Sequence, residues 1–391
     1  MEALHEMKGL LADIRADSVE ASNDRGDPTL ANSRITTLDA FEEEYRKGIG
    51  HVFPRRGPGR EASLDNIRRF GDGVGDYNPL YRDDAYAAKS RFGMITAPPI
   101  FIYAASLGVG AAMVGAIDPR RLSTANLAMN YAGGAIEFHL PIWLGDRIFV
   151  EEKVVGIDRK HSDRIGDFCL CKTLVSYYNQ RQELVATKTT MIAQYENLGG
   201  GQTIQYDREK KTQTIEESPD ALVYERVRRG SDSRFWQDVS EGEDVPRLDK
   251  GTYTVTELFL FTHCVVGSQR SPRAALEAED SQDLGADGRF DEEHARKRRN
   301  MPGQFDYGPQ RACWLSQLAT DWMGDDGVLK RMETRVRHPN VVGDTNTVFG
   351  KVARKYAYGD ELLVDLDVWN ENQAGLTTAL SRITVALPGR P

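Results

Sequence analysis

The sequence predicts an α+β protein assembled from two tandem copies of one unit, in which a curved antiparallel sheet wraps a long buried helix. Three observations lead there. The same turn occurs in each half, His139-Leu140-Pro141-Ile142-Trp143-Leu144-Gly145-Asp146 and Arg337-His338-Pro339-Asn340-Val341-Val342-Gly343-Asp344, so an x-Pro-x3-Gly-Asp signal recurs. Each turn leads into period-two alternation, the mark of half-buried strands: Arg147 to Val155 and Asp167 to Tyr177 in the first half, Thr347 to Lys355 and Glu361 to Trp369 in the second. Upstream of each lies one long helical candidate that opens on proline, where the missing N–H costs nothing. These are Pro99 to Val114 and Pro309 to Met323, the latter with Trp314, Leu315, Leu318 and Trp322 at helical spacing.

A long helix wrapped by such a sheet is the hotdog arrangement, and two copies side by side make a double hotdog. The length of 391 residues suits two domains, and 40% apolar with 28% charged residues is a globular composition. Residues 1–37 read as an N-terminal appendage, with Leu4, Met7, Leu10, Leu11 and Ile14 at helical spacing before a polar run. The first domain is expected over 38–198, a linker opening on Gly199-Gly200-Gly201 over 199–229, and the second domain over 230–391.

Composition also narrows the function. A net charge of -9 argues against a general nucleic-acid binder, which needs clustered Lys and Arg; the one basic run, Arg296 to Arg299, reads as a solvated loop. The four cysteines are too scattered for a disulfide framework, and Cys169 and Cys171 share one strand face, as packing residues do. With no signal peptide apparent, a cytoplasmic location is expected. Met94 to Ile117 is uncharged and long enough to span a bilayer. Its Pro98-Pro99 pair and its Gly and Ala content favour a buried helix of a soluble core, so no membrane partner is expected. Nucleotide-binding glycine loops, a nucleophile elbow and HExxH are absent from the sequence.

The chemistry-bearing segment runs from Asp65 to Asp83 and contains Gly75-Asp76-Tyr77-Asn78-Pro79-Leu80-Tyr81. Taken as local structure alone, Asp76 to Pro79 is a turn stabilised by Asx hydrogen bonds. The segment also resembles the motif of the MaoC-like, or (R)-specific, enoyl-thioester hydratases, through Gly75, Asp76, Asn78, Pro79, Leu80, Asp83, Ala87 and Ala88. The continuation from Arg91-Phe92-Gly93 to Ala97-Pro98-Pro99 is similar to the dehydratase N-terminal branch of that family. The second half resembles it less closely, through Phe305 to Pro309 and Asp321 to Asp326.

The resemblance implies a hydro-lyase that adds water across a 2-enoyl thioester, coenzyme A-linked, with coenzyme A as part of the substrate and no metal or redox cofactor. In that family an Asp and a His five residues later hold the water. Asp76 matches the Asp, but Tyr81 stands where the His belongs, and a phenol is a poor base at neutral pH. In the second half Ser268 takes the place of the Asp; His263, four residues before Gly267, is expected to be a core or surface histidine. The developing enolate needs an N–H donor from a helix start. Pro98 and Pro99 have none, which leaves Ile100 or Phe101 in the first half and Gly308 in the second. Asn78 would contact substrate, and Phe101, Tyr103 and Leu107 would line an apolar acyl tunnel. Arg311 suits either a phosphate or carboxylate of the ligand or an ion pair with Asp306 or Asp321. Two further readings of the same fold are a catalytically silent acyl-binding subunit that relies on a partner, and a thioesterase. A homodimer or a partner hotdog subunit is expected.

Overall fold

The computed structural model describes residues 34–53, 59–106, 117, 121–123, 126–163, 165–196, 208–209, 228–266, 289–298 and 301–390. The first half opens with α1 (Leu38–Lys47), capped by the Thr37 hydroxyl and buried through Leu38, Phe41 and Tyr45. Short strands β1 (Val52–Phe53) and β2 (Arg60–Glu61) precede α2 (Leu64–Val74) and α3 (Asp84–Ala87). A 3-10 turn over Pro99–Phe101 then leads into α4 (Ile102–Ser106). The four strands that follow are β3 (Leu127–Phe138), β4 (Arg147–Ser162), β5 (Gly166–Tyr178) and β6 (Leu184–Glu196).

The second half repeats the order. β7 (Asp244–Thr252) is followed by α5 (Val255–Leu260), which widens into a π turn over Phe261–Val266. Then come α6 (Glu292–Arg298) and α7 (Gly308–Met323). Strands β8 (Val328–Val336), β9 (Thr345–Tyr358), β10 (Glu361–Asn372) and β11 (Thr377–Ala386) complete it. The expected helix from Pro99 is described as far as Ser106; Leu107, Ser268 and Gly199 to Gly201 lie outside the described residues.

Among the described residues the strands form one eleven-stranded sheet, in the order β1-β4-β5-β6-β3-β8-β11-β10-β9-β7 with β2 beside β4. The halves meet where β3 pairs antiparallel with β8, from Gly133 opposite Arg335 to Glu137 opposite Arg331. A side chain at Gly133 would meet the Thr334 carbonyl oxygen at 2.0 Å, and one at Gly134 the Thr189 oxygen at 2.3 Å, so glycine is what lets β3 lie this close to both neighbours.

The repeated turns make matching hydrogen bonds. Asp146 accepts from the Trp143 N–H at 3.0 Å and Asp344 from the Val341 N–H at 2.8 Å. The Gly145 N–H reaches the Ala62 oxygen at 2.9 Å, as the Gly343 N–H reaches that of Tyr253 at 2.8 Å. One face of the sheet is buried under helices. On β5 the alternation puts Cys169 and Cys171 in the cluster around α1, and Val175 and Tyr177 in the main core. All sixteen residues of α7 are buried, which makes it the central helix of the second half.

Candidate active site

Asp76 stands just past the end of α2, on a turn held by local hydrogen bonds. Ser63 caps the start of the helix, and Gly75 ends it in the left-handed region at φ 69°. The Asp76 N–H then reaches back to the Gly71 oxygen at 2.8 Å. A side chain at residue 71 would lie 2.6 Å from the Asp76 oxygen, so Gly71 is needed for this approach. The Asp76 carboxylate accepts from the Asn78 N–H at 3.1 Å, and the Asn78 side chain accepts from Leu80 N–H at 3.0 Å, opening the 3-10 turn Pro79–Tyr81. Asp76, Asn78 and Tyr81 are all buried. The Asx turn read from the sequence is therefore present, and it holds the Asp and the phenol on one element.

The Tyr81 phenol points toward the second half. It meets the side chain of Thr320 on α7, with Asp76, Asp325 and Asp321 around it. Burial raises its pKa well above the ordinary tyrosine value, and the three carboxylates add to that rise. Tyr81 thus stays protonated: a hydrogen-bond donor, not a base. Asp321 lies 3.4 Å from Arg228, and Asp325 accepts from the Tyr86 hydroxyl at 2.7 Å.

The helix starts supply the other expected site residues. Phe101 donates its N–H to the Pro98 oxygen at 2.9 Å, which leaves Ile100 as the first-half amide of interest. The Phe101 ring packs on Phe70 of α2, centroids 5.4 Å apart. Gly308 sits under the Tyr131 ring, where a side chain would come within 2.8 Å. Arg311 faces inward, 2.9 Å from Asp306, and donates to the Thr378 oxygen at 2.8 Å and to the His338 oxygen. Asp306 also accepts from the backbone and side-chain N–H groups of Asn340. Of the two uses considered for Arg311, the structure places the ion pair with Asp306.

Tyr103 does not face a purely apolar space. Its hydroxyl lies 2.8 Å from that of Tyr131. The Lys188 ammonium sits 4.5 Å from its ring centroid and donates to Ser106 Oγ at 3.2 Å, which also accepts from the Tyr177 hydroxyl at 2.9 Å. Burial pulls the Lys188 pKa down to about 8, against the opposing charge of Glu152. This buried polar cluster was not anticipated. A signal existed, because alternation along β6 puts Lys188 on the inward face with Ala186 and Thr190. His263 is exposed and stacks on Phe259, consistent with a surface histidine.

Asp76, Asn78 and Tyr81 thus form one group against α7, while Tyr103 and Gly308 meet through Tyr131, and Arg311 belongs to a separate ion-pair network. No cluster of metal-binding side chains occurs among the described residues. No described helix is long and apolar enough to cross a membrane.

Residues 49–188 match the family model of the FAS1-like dehydratase domain region. The chain is 27% identical over 208 residues to a probable enoyl-CoA hydratase alpha subunit of Thermomonospora curvata, a match covering 50% of this chain and 60% of that one. It is 28% identical over 150 residues to a UPF0336 protein of Saccharopolyspora erythraea, covering 37% of this chain and 88% of the relative. Among solved structures, a MaoC-like dehydratase superposes with a TM-score of 0.64 at 17% identity, covering 88% of this chain and 100% of the other. A Mycobacterium tuberculosis protein described as having a double hotdog fold gives a TM-score of 0.55 at 14% identity, covering 88% and 97%.

Proposed function

From a double hotdog fold whose residues 49–188 match the FAS1-like dehydratase region, we propose that this chain is a MaoC-like hydro-lyase acting on 2-enoyl thioesters. The observation that carries the reading is the buried Asp76 carboxyl on a fixed turn beside a phenol kept in its protonated form. In hydration the Asp76 carboxylate takes a proton from water as the oxygen bonds to C3. The π electrons of C2=C3 move onto the thioester oxygen, where the Ile100 or Gly308 N–H receives the charge. Asp76 then returns the proton to C2, and elimination runs the same steps backward. Tyr81 donates a hydrogen bond that orients the water, and Asn78 holds the turn or meets the acyl group. Coenzyme A enters as part of the substrate, and this chemistry calls for no metal or redox group.

The test is to mix purified protein with short, branched and aromatic 2-enoyl coenzyme A esters and follow the ultraviolet absorbance of the conjugated thioester. We expect the signal to fall without release of free thiol, and Asp76→Asn to lower kcat by about 10²- to 10⁴-fold while the fold is retained. Unchanged turnover in Asp76→Asn would sink the assignment. Thiol release would point to thioesterase chemistry.

A second reading has its own support: the protein serves as an acyl-thioester-binding subunit of a larger hydratase. Tyr81 stands where a second acid–base group is expected, its phenol is held protonated, and one relative is named as an alpha subunit. Binding of enoyl coenzyme A esters with no turnover by the chain alone, and turnover on adding a second hotdog subunit, would favour it.

A further inference from the structure

A lysine from the second half holds the end of the helix that carries Asp76. Lys250 lies on β7, is buried, and donates from Nζ to the Val74 oxygen at 2.8 Å, the Gly75 oxygen at 3.4 Å and Gln317 Oε1 at 3.0 Å. Gln317, on α7, donates its own Nε2 to the Gly75 oxygen at 3.0 Å. Two second-half side chains therefore grip the two carbonyls immediately before Asp76. A side chain at Gly75 would sit 3.1 Å from Lys250 Nζ, and residue 75 has a positive φ besides, so glycine gives the ammonium its access.

The chemistry suits the place. The C-terminal end of a helix presents unpaired carbonyls and the negative end of the dipole, and a cation there is favourable. The last turn of α2 contains no basic residue, so the charge comes from the other half of the molecule. The ammonium donates to three oxygen acceptors, two of them carbonyls of the chain it holds. The site of Asp76 is thus built by the first half and fixed by the second.

We propose that Lys250 and Gln317 are positioning residues that fix the Asp76 turn across the junction of the two halves. The inference rests on the assignment of Asp76 as the acid–base group. Reactive geometry is exacting, and a displacement of about 1 Å can cost 100-fold in rate. Lys250→Met removes the ammonium and is expected to lower kcat for enoyl-thioester hydration by about 10- to 100-fold with little change in KM. Gln317→Met, which removes one bond to Gly75 without touching the buried charge, is expected to give a smaller loss of the same kind, and it serves if the lysine variant fails to fold.

The decisive comparison is made in the Asp76→Asn background. If Lys250 acts through Asp76, Lys250→Met causes no further loss of the residual rate there. A multiplied loss in that background, or full kcat in folded Lys250→Met and Gln317→Met, overturns the proposal while leaving the hydro-lyase reading in place. If the wild-type chain turns over no enoyl thioester, alone or with a second hotdog subunit, the hydro-lyase reading fails and this inference falls with it.

Discussion

Lys188 shows how much a single side chain can carry when it is buried. Burial lowers its pKa to about 8, whereas an unfolded chain keeps the lysine proton to a pKa of about 10.4. Between those values the unfolded state binds more protons than the folded state, so stability rises with pH across that window; below about pH 8 the full penalty of the buried charge applies. The rise attributable to this group is about 3 kcal/mol. Urea titrations from pH 7 to 10 should therefore show the wild type gaining stability relative to Lys188→Met as the pH rises, a difference in which the opposing slope of the buried cysteines, whose thiols burial pushes up, cancels; parallel slopes would show that the lysine titrates normally. At this scale the sequence made the Gly-Asp-x-Asn-Pro turn legible, since its hydrogen bonds are local, from Asp76 to Asn78 and from Asn78 to Leu80. Lys188 and Lys250 escaped, because their partners Ser106, Gln317 and the Gly75 carbonyl are remote in the chain.

At the level of elements, α7 begins on a buried ion pair whose members are also tied to carbonyls and to Asn340. Burial pushes the Asp306 carboxyl up, and Arg311 pulls it back down. Removing one member strands the other, so Arg311→Met is expected to destabilise the fold by about 3–5 kcal/mol, and adding Asp306→Leu to recover much of that loss. Denaturant midpoints of the single and double variants check this, and a double variant no more stable than the single one would contradict it. The helix Pro309 to Met323 was legible within one residue because a proline marks its start and Gly324 its end. β4 ran beyond its expected end at Val155, to Ser162: a register shift between Val154 and Gly156 interrupts the alternation but not the pairing with β5.

Over the whole molecule, the pairing of β3 with β8 makes the two copies parts of one sheet. The Lys250 contacts and the Tyr81 contact with Thr320 cross the same junction. Heating should give a single cooperative transition, and Gly133→Val, which drives a side chain onto the Thr334 oxygen, should lower it as a whole. Calorimetry that resolves two transitions would show that the halves unfold independently. Duplication was plain in the sequence because a repeated turn is a local signal. That the first half's motif would be packed against the second half's helix was not, since nothing in a run of residues records which faces meet.

The lysine that grips α2 has no counterpart at the matched position of the first half. Counting back from the matched hydrogen bonds of Ala62 and Tyr253, the place of Lys250 in the first half is held by Gly59. Two separate, identical chains related by a twofold axis carry every substitution twice, so a change that helps one end is imposed on the other as well. A covalently joined pair is released from that constraint: each copy can drift alone, one toward keeping reactive groups and the other toward holding them in place. Lys250 and Gly59, at matched places in the two copies, show such a difference within one chain.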